Sequence, residues 1–179
     1  QIIDEVVAPT FTGLKEAGIT YRGVLYFGLM VTENGPRLLE YNIRLGDPEA
    51  QVLLPLLGAD FTNWCDAIVE GSLDRFPASY LGASAVGVVV AADGYPGDYE
   101  KGLPVTSVPE PTEDASVVFH AATTLNNGSL RPNGGRCFTA VGMGHDLLTA
   151  RGRAYSAARG IVFPGAWFRP DIGGRIFGT

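Results

Sequence analysis

The sequence predicts an α+β protein in two parts: half of a mixed domain of antiparallel sheet and helices, then a small antiparallel β domain with one helix. Three observations carry this. Apolar residues recur at helical spacing from Ile2 to Leu14 and again from Phe61 to Val69. Between those stretches lie two β-rich runs joined by Glu33-Asn34-Gly35-Pro36, and Asn-Gly between such runs is a strong hairpin signal. Beyond Pro77 the chain becomes a series of short β runs separated by Gly- and Asn-rich turns.

The elements come in this order. Ile2, Ile3, Val6, Val7, Phe11 and Leu14 form one helical face. Pro9 has no N–H to donate to residue 5, so it either kinks that helix or starts a second one, and Gly18 is a natural stop. Strands are expected over residues 23–32 and 37–45. A helix begins at Glu49 after the Gly46-Asp47-Pro48 turn and runs to about residue 57. Asp60 is placed to cap another helix through residue 70, with Phe61, Trp64, Cys65, Ile68 and Val69 on its buried side. Residues 84–92, "SAVGVVVAA", read as a strand, as do 116–121, 123–125 and 136–143. Asn126-Asn127-Gly128 and Asn133-Gly134-Gly135 supply turns, residues 146–159 a helix, and a last short β segment lies near Trp167. The composition shift between residues 75 and 83 divides the chain into domains 1–78 and 79–179.

With 179 residues there is room for one ordinary domain or two small ones, and an apolar fraction of 46% belongs to a globular chain. A net charge of −6 opposes nucleic-acid binding by general electrostatics, though a small basic pocket remains compatible with it. Cys65 and Cys137 are too few and too far apart for a zinc site; one disulfide is the alternative, and two buried free thiols in a reducing cytoplasm are expected. No apolar run reaches membrane-spanning length and no signal peptide opens the chain. Gln1 falls inside an amphipathic pattern without an initiator Met, so the chain reads as the C-terminal piece of a longer polypeptide.

Most of the visible chemistry lies in "LLEYNIRLGDPEAQ", residues 38–51. Successive strand side chains alternate faces, so Glu40, Asn42 and Arg44 share one and Leu39, Tyr41 and Ile43 the other, a core face. A carboxylate and an amide oxygen two positions apart suit a hard cation such as Mg²⁺, which takes oxygen ligands and keeps waters and substrate phosphates. Arg44 beside them can hold phosphate or carboxylate oxygens bidentately. An exposed strand face with a Glu–Arg pair explains the same residues. Asp47 and Glu49 add two carboxylates in a turn shaped by Gly46 and Pro48. They suit amines or ribose hydroxyls, and equally a helix start with Asp47 as cap and Pro48 as first helical residue.

The run "YRGVLYFGLMVTENGPRLLEYNIRLGDPEAQ" resembles the end of the ATP-grasp domain in the phosphoribosylamine–glycine ligase family, also called glycinamide ribonucleotide synthetases. The signature is Arg44-Leu45-Gly46-Asp47-Pro48-Glu49-Ala50-Gln51, with Leu45 where Phe is usual, preceded by Glu40-Tyr41-Asn42. "ADGYPGDYEKG", "NGGR" and "FRPDIG" resemble the family's C-terminal domain, with Pro170 where Lys is usual and Cys137-Phe138 in place of a more aliphatic pair. The resemblance covers nearly the whole chain. It implies the C-terminal half of an ATP-grasp domain, with the family's small C-terminal domain after it. It also implies ligation of glycine to 5-phosphoribosylamine with ATP and Mg²⁺ or Mn²⁺, through a glycyl phosphate. On that reading Glu40 and Asn42 are metal ligands. Arg44 stabilises the transferring phosphoryl, while Asp47 and Glu49 orient the amine or ribose. The family's remaining nucleotide contacts, its ATP lid and its glycine site are then expected upstream of Gln1. Another ATP-grasp carboxylate–amine ligase and a non-catalytic degenerate module are the alternatives. Intact Glu40, Asn42, Arg44 and Asp47 count against the second.

Two further positions have two readings each. In many ATP-grasp enzymes a second acidic metal ligand lies about twelve residues before the Glu; here that position is Gly28. Met30 is a candidate for packing against adenine, facing Glu40 if the hairpin carries a one-residue bulge, or else ordinary core. Arg136 comes after two glycines that would let backbone N–H groups approach a phosphate, or is a solvated Arg after a β-turn. Asp93, Tyr95, Asp98 and Tyr99 read as a structured loop, and His120 and His145 as structural.

Overall fold

A computed structural model describes residues 1–57, 61–76, 81–112 and 115–177, apart from the side chains at 175 and 177. The chain forms two compact units, Gln1–Asp47 with Ala59–Ala78 and Pro48–Gly58 with Ser79–Thr179. A single cut at 78/79 differs from this division in the short segment after Asp47, which joins the second unit because Val52 packs against Gly87 there. The expected boundary falls largely, and the expected Asp60 cap wholly, outside the described residues.

In the first unit a π-helical turn, Ile3–Val7, runs into α1, Ala8–Glu16. Pro9 lies in the first turn of α1, at the junction with the π-helical turn where it has no N–H to donate back, and the Thr10 hydroxyl donates to the Val6 carbonyl at 2.7 Å. Gly18, at φ +68°, ends the helix, and the Ile19 N–H closes it by donating to the Leu14 carbonyl at 2.9 Å. Strands β1, Tyr26–Thr32, and β2, Gly35–Asn42, pair antiparallel through a two-residue turn at Glu33-Asn34. The ladder ends at Tyr26–Asn42, so Ile43, Arg44 and Leu45 lie beyond the strand that the sequence extended to residue 45. Helix α3, Phe61–Glu70, is tied down at its end by Arg22, whose guanidinium donates to the Val69 carbonyl.

The second unit is a four-stranded sheet in the order β4-β7-β3-β8, built from β3, Ser84–Ala92, β4, Ser116–His120, β7, Arg136–Gly144, and β8, Ala166–Trp167. A separate hairpin joins β5, Thr123–Asn126, to β6, Ser129–Pro132, through Asn127 and Gly128, both at positive φ. Strand β6 was not expected from the sequence. Helix α4, Leu147–Gly160, covers one sheet face and packs Ala150, Ala154 and Ala158 on Val86, Val88, Val90 and Ala140. On the other face, α2, Glu49–Leu53, reaches β3: a Cβ on Gly87 would lie 2.8 Å from Val52 Cγ2. Burial on both faces explains why "SAVGVVVAA" is a continuous apolar run rather than an alternating one. A 3-10 turn, Leu54–Leu56, completes the segment read as one helix.

Two expectations are corrected. Cys137 is fully buried, but Cys65 on α3 is exposed. Burial pushes the Cys137 thiol up from its ordinary value. Helix α2 has Pro48, not Asp47, at its N-cap position, so it starts one residue later than expected. On α4, Asp146 at the N-cap accepts from the Thr149 N–H through Oδ1 at 2.7 Å.

The packing of α4 on β7 leads to a first stability prediction. A Cβ on Gly142 would sit 2.2 Å from Ala154 N and 2.3 Å from Ala150 O, backbone atoms of α4 that cannot turn aside. Gly142→Ala should therefore destabilise the second unit by about 3 kcal/mol or more. Gly152→Ala, with open space around it, should stabilise by about 0.5–1 kcal/mol. Thermal unfolding reads both, and an unchanged melting temperature for Gly142→Ala overturns the packing argument. The second prediction concerns Asp146, whose carboxyl is held below its usual value first by the Thr149 N–H, with His145 Nε2 3.1 Å from its other oxygen. A folded-state pKa that is depressed adds stability above the unfolded value, about 3.9, and loses it as pH falls through the folded value. The melting-temperature difference between the native chain and Asp146→Asn should shrink as the pH drops below that range. A difference that stays constant down to about pH 2 contradicts the cap.

Candidate functional site

The polar face of the first unit's hairpin is set by an irregularity that composition does not reveal. The register runs Thr32–Gly35, Met30–Arg37 and Leu29–Leu38, then shifts so that Gly28 faces Glu40, Phe27 faces Tyr41 and Tyr26 faces Asn42. Leu39 is the extra residue. The bulge does not put Met30 opposite Glu40, as the sequence suggests: Met30 pairs with Arg37, and Gly28 takes its place. By strand alternation Gly28 and Met30 remain on the Glu40 face, and Met30 is 52% exposed there.

Glu40 and Asn42 do share a face, since Asn42 Nδ2 donates to Glu40 Oε1 at 2.9 Å. Gly28 provides the space for Glu40: a Cβ at residue 28 would fall 2.8 Å from Glu40 Cγ. The place where a second acidic ligand was sought is thus occupied by the first one's stem. Tyr41 points the other way. Its hydroxyl lies 2.8 Å from Thr10 Oγ1 on α1, and its ring meets Phe27 edge-on at 5.5 Å. That side opens on a mostly apolar cavity of about 750 Å³ lined by Val6, Leu14, Leu25, Leu38, Tyr41 and Ile43, with Glu5 the one carboxylate in its lining among the described residues. Leu38, rather than the expected Leu39, joins Tyr41 and Ile43 there.

Beyond the strand, Arg44 is exposed and its Nη1 donates to the Leu45 carbonyl at 2.9 Å. Asp47 is exposed in the turn after it. Glu49, the first residue of α2, and Arg136, the first of β7, belong to the second unit. The glycines before Arg136 have steric reasons of their own. A Cβ on Gly135 would lie 2.0 Å from the Tyr95 ring, and one on Gly134 2.5 Å from Ala122 Cβ. His120 meets Phe138 edge-to-face at 5.1 Å, and its Nδ1 lies 3.1 Å from Thr123 Oγ1, a structural role.

The donor set fits a hard divalent cation in one respect. Glu40 and Asn42 bring a carboxylate and an amide within hydrogen-bond distance on one face, and turning the amide presents its oxygen in place of its nitrogen. Among the described residues no group of three or more His, Cys, Asp or Glu could hold a metal. Two protein oxygens suit Mg²⁺ or Mn²⁺ when phosphate oxygens and waters supply the rest.

The fold defines the class first. The chain superimposes on the biotin carboxylase domain of Hydrogenobacter thermophilus 2-oxoglutarate carboxylase with a TM-score of 0.62 at 17% identity, covering 90% of this chain and 36% of that one. At that identity the likeness concerns the fold alone. The family is narrower. Residues 1–50 match the ATP-grasp (A) domain of phosphoribosylglycinamide synthetase and residues 85–175 match its C domain, and the chain belongs to that family.

Similar proteins agree. Phosphoribosylamine–glycine ligase of Thermotoga maritima superimposes with a TM-score of 0.77 at 38% identity, over 95% of this chain and 42% of that one. The ligase of Caldanaerobacter subterraneus is 41% identical over 96% of this chain and 41% of its own length. The chicken trifunctional purine biosynthetic protein adenosine-3 is 43% identical over 98% of this chain but only 18% of its own length. The chain therefore spans about two-fifths of the ligases it matches, and less than a fifth of the trifunctional relative. No helix among the described residues is long and apolar enough to cross a membrane.

One test addresses the face itself. Gly28→Ala should displace Glu40 and shift the Asn42 side-chain NH₂ resonances in ¹H–¹⁵N spectra. Gly13→Ala, with nothing within 4 Å, should leave them in place. Unmoved Asn42 resonances in Gly28→Ala would remove the steric link between residues 28 and 40.

Proposed function

We propose that this chain forms part of an ATP-dependent ligase that joins glycine to 5-phosphoribosylamine, giving glycinamide ribonucleotide, ADP and phosphate in purine biosynthesis in the cytoplasm. The observation that carries the reading is the Glu40–Asn42 pair on one strand face, with Arg44 and Asp47 directly after it, in a chain of the phosphoribosylglycinamide synthetase family. Residues 1–78 then act as the C-terminal half of the ATP-grasp domain and residues 79–179 as the C-terminal domain. The rest of the site, with further nucleotide contacts and the glycine site, comes from upstream polypeptide.

The chemistry divides into two displacements. A glycine carboxylate oxygen attacks the γ-phosphorus of ATP, ADP leaves, and glycyl phosphate results. The phosphoribosylamine nitrogen then attacks the acyl carbon, the C–O bond to phosphate breaks, and the nitrogen gives up a proton. Both steps concentrate negative charge on phosphoryl oxygens, so the protein's work is neutralisation, alignment and exclusion of water. Glu40 and Asn42 would hold Mg²⁺ or Mn²⁺, which neutralises charge on the ATP phosphates when bound. Arg44 leaves its contact with the Leu45 carbonyl to bind the transferring phosphoryl or the acyl phosphate bidentately. Met30, half exposed on the same face, packs against adenine. Asp47 and Glu49 orient the amine or ribose hydroxyls. Arg136 binds the substrate phosphate by its guanidinium alone, because the packing of Gly134 and Gly135 already accounts for those glycines.

The experiment is steady-state turnover of glycine, phosphoribosylamine and ATP by the longer polypeptide that carries this chain. Glu40→Gln removes the facing charge at nearly constant shape and should cost about a hundredfold to a thousandfold in rate. Asn42→Ala should be similar or milder and partly rescued by raised Mn²⁺. Tyr41→Phe, which removes only the hydroxyl contact to Thr10, should stay near normal. The 179-residue chain alone should show no turnover. Near-normal turnover of Glu40→Gln alongside a damaged Tyr41→Phe inverts the face assignment and sinks the reading.

A further inference from the structure

The second unit carries a groove that none of these roles uses. Its volume is about 330 Å³, and Arg151, Gly152, Tyr155, Arg159, Phe168 and Pro170 line it. Arg151, Tyr155 and Arg159 lie at i, i+4 and i+8 on α4, so they succeed one another along one helix face. Phe168 and Pro170 form the facing wall. Among the described residues no carboxylate lines the groove, and the nearby Asp171 is engaged by Arg169 through two hydrogen bonds of 2.9 and 2.6 Å.

Arg151 is held in place. Its Nε donates to the Ile172 carbonyl at 2.7 Å, its Nη2 donates to the Pro170 carbonyl at 3.1 Å, and its guanidinium lies 4.9 Å from the centre of the Tyr155 ring. Tyr155 is fixed in turn, donating to the Arg169 carbonyl at 2.7 Å and accepting from the Ile172 N–H at 2.9 Å. A guanidinium has five N–H donors, so three on Arg151 remain for a ligand. Arg159 is exposed at the far end of the groove.

Gly152 keeps the groove open. It lines the groove, and a Cβ there would meet nothing within 4 Å, so no protein atom fills the space above it.

We propose that this groove binds a small phosphate monoester carrying a planar ring. The phosphate lies between Arg151 and Arg159, and the ring lies over Gly152 against Phe168 and Pro170. Two guanidiniums without a facing carboxylate match a dianion better than a singly charged carboxylate. The volume sits at the small end of ligand pockets, about 300 Å³, which suits a single ring with one phosphate. The site is independent of the ligase reading, because it uses none of the residues assigned to ligation.

The test is titration of the 179-residue chain with phenyl phosphate, tracked in ¹H–¹⁵N spectra. Saturable shifts at amides of residues 151–160 and 168–172 are expected, with inorganic phosphate at least about tenfold weaker. Arg159→Ala should weaken binding about tenfold by removing a charge-assisted contact. Gly152→Leu should abolish it by filling the groove, with a melting temperature showing that the chain still folds. The absence of saturable shifts at these amides, equal affinity in Arg159→Ala, or undiminished binding in a folded Gly152→Leu overturns the proposal. So does saturation by a short acidic aromatic peptide but not by phenyl phosphate, which would make the groove a protein-docking site.

Discussion

The second unit depends on how closely α4 approaches β7. Ala154 N and Ala150 O lie where a side chain at residue 142 would be, and Thr149 and Ala150 crowd residue 144 in the same way. Glycine on the strand and alanine on the helix let the two backbones come together, while the larger Val86, Val88 and Val90 of β3 fill the flank. Interiors packed to this density transmit any added volume, so the sequence at these positions is constrained more tightly than its apolar character alone requires. The position of α4 in turn fixes the C-terminal turn. Tyr155 and Arg151 hold the Arg169–Ile172 segment through its backbone, so that segment is located by the helix.

The first unit uses the same device to place a polar side chain instead of a helix. Gly28 is empty so that Glu40 can stand on the hairpin face, and the Leu39 bulge brings the two opposite each other. The bulge also separates the hairpin's faces, with Asn42 beside Glu40 and Tyr41 turned to α1. The outcome is a carboxylate and an amide with no room for a third ligand from the facing strand. In the proposed role, a cation on two protein oxygens would be held weakly unless phosphate oxygens completed its shell, which would link metal binding to nucleotide binding.

What the sequence made legible is what local chemistry controls. The hairpin was marked by Asn-Gly, β3 by its β-branched run, α4 by Asp146 and the periodic residues after it, and the β5–β6 turn by Asn127-Gly128. What escaped depends on a partner. The alternation of residues 37–45 continues past Asn42, but the ladder stops there because β1 begins at Tyr26 and offers nothing further to pair with. The bulge leaves no compositional trace, so the register around Met30 was not readable. Strand β6 is four residues ending in Pro132, short and polar enough to look like turn. Cys65 falls on the apolar stripe of α3 yet is exposed in this chain. Gly134 and Gly135 show that a glycine pair that suggests phosphate binding can also have a packing reason, because Tyr95 and Ala122 fill the space the missing side chains leave.

The overall charge of −6 excludes a broad basic surface but says little about individual anion sites. At physiological ionic strength charges are screened over about 8 Å, so a phosphate responds to the groups within one or two side chains of it rather than to the molecule's total. Arginine is suited to that setting because a fixed guanidinium supplies direction as well as charge. The fixing is visible in this fold. Arg151 is oriented by two carbonyls and an aromatic ring, whereas Arg44 rests on a single neighbouring carbonyl and, in its proposed role, would be redirected. A guanidinium already in position loses little freedom on binding, so it favours affinity for a ground-state anion. One that is reoriented only when a phosphoryl group is in transfer can hold the transition state more strongly than the substrate, which is the difference catalysis requires.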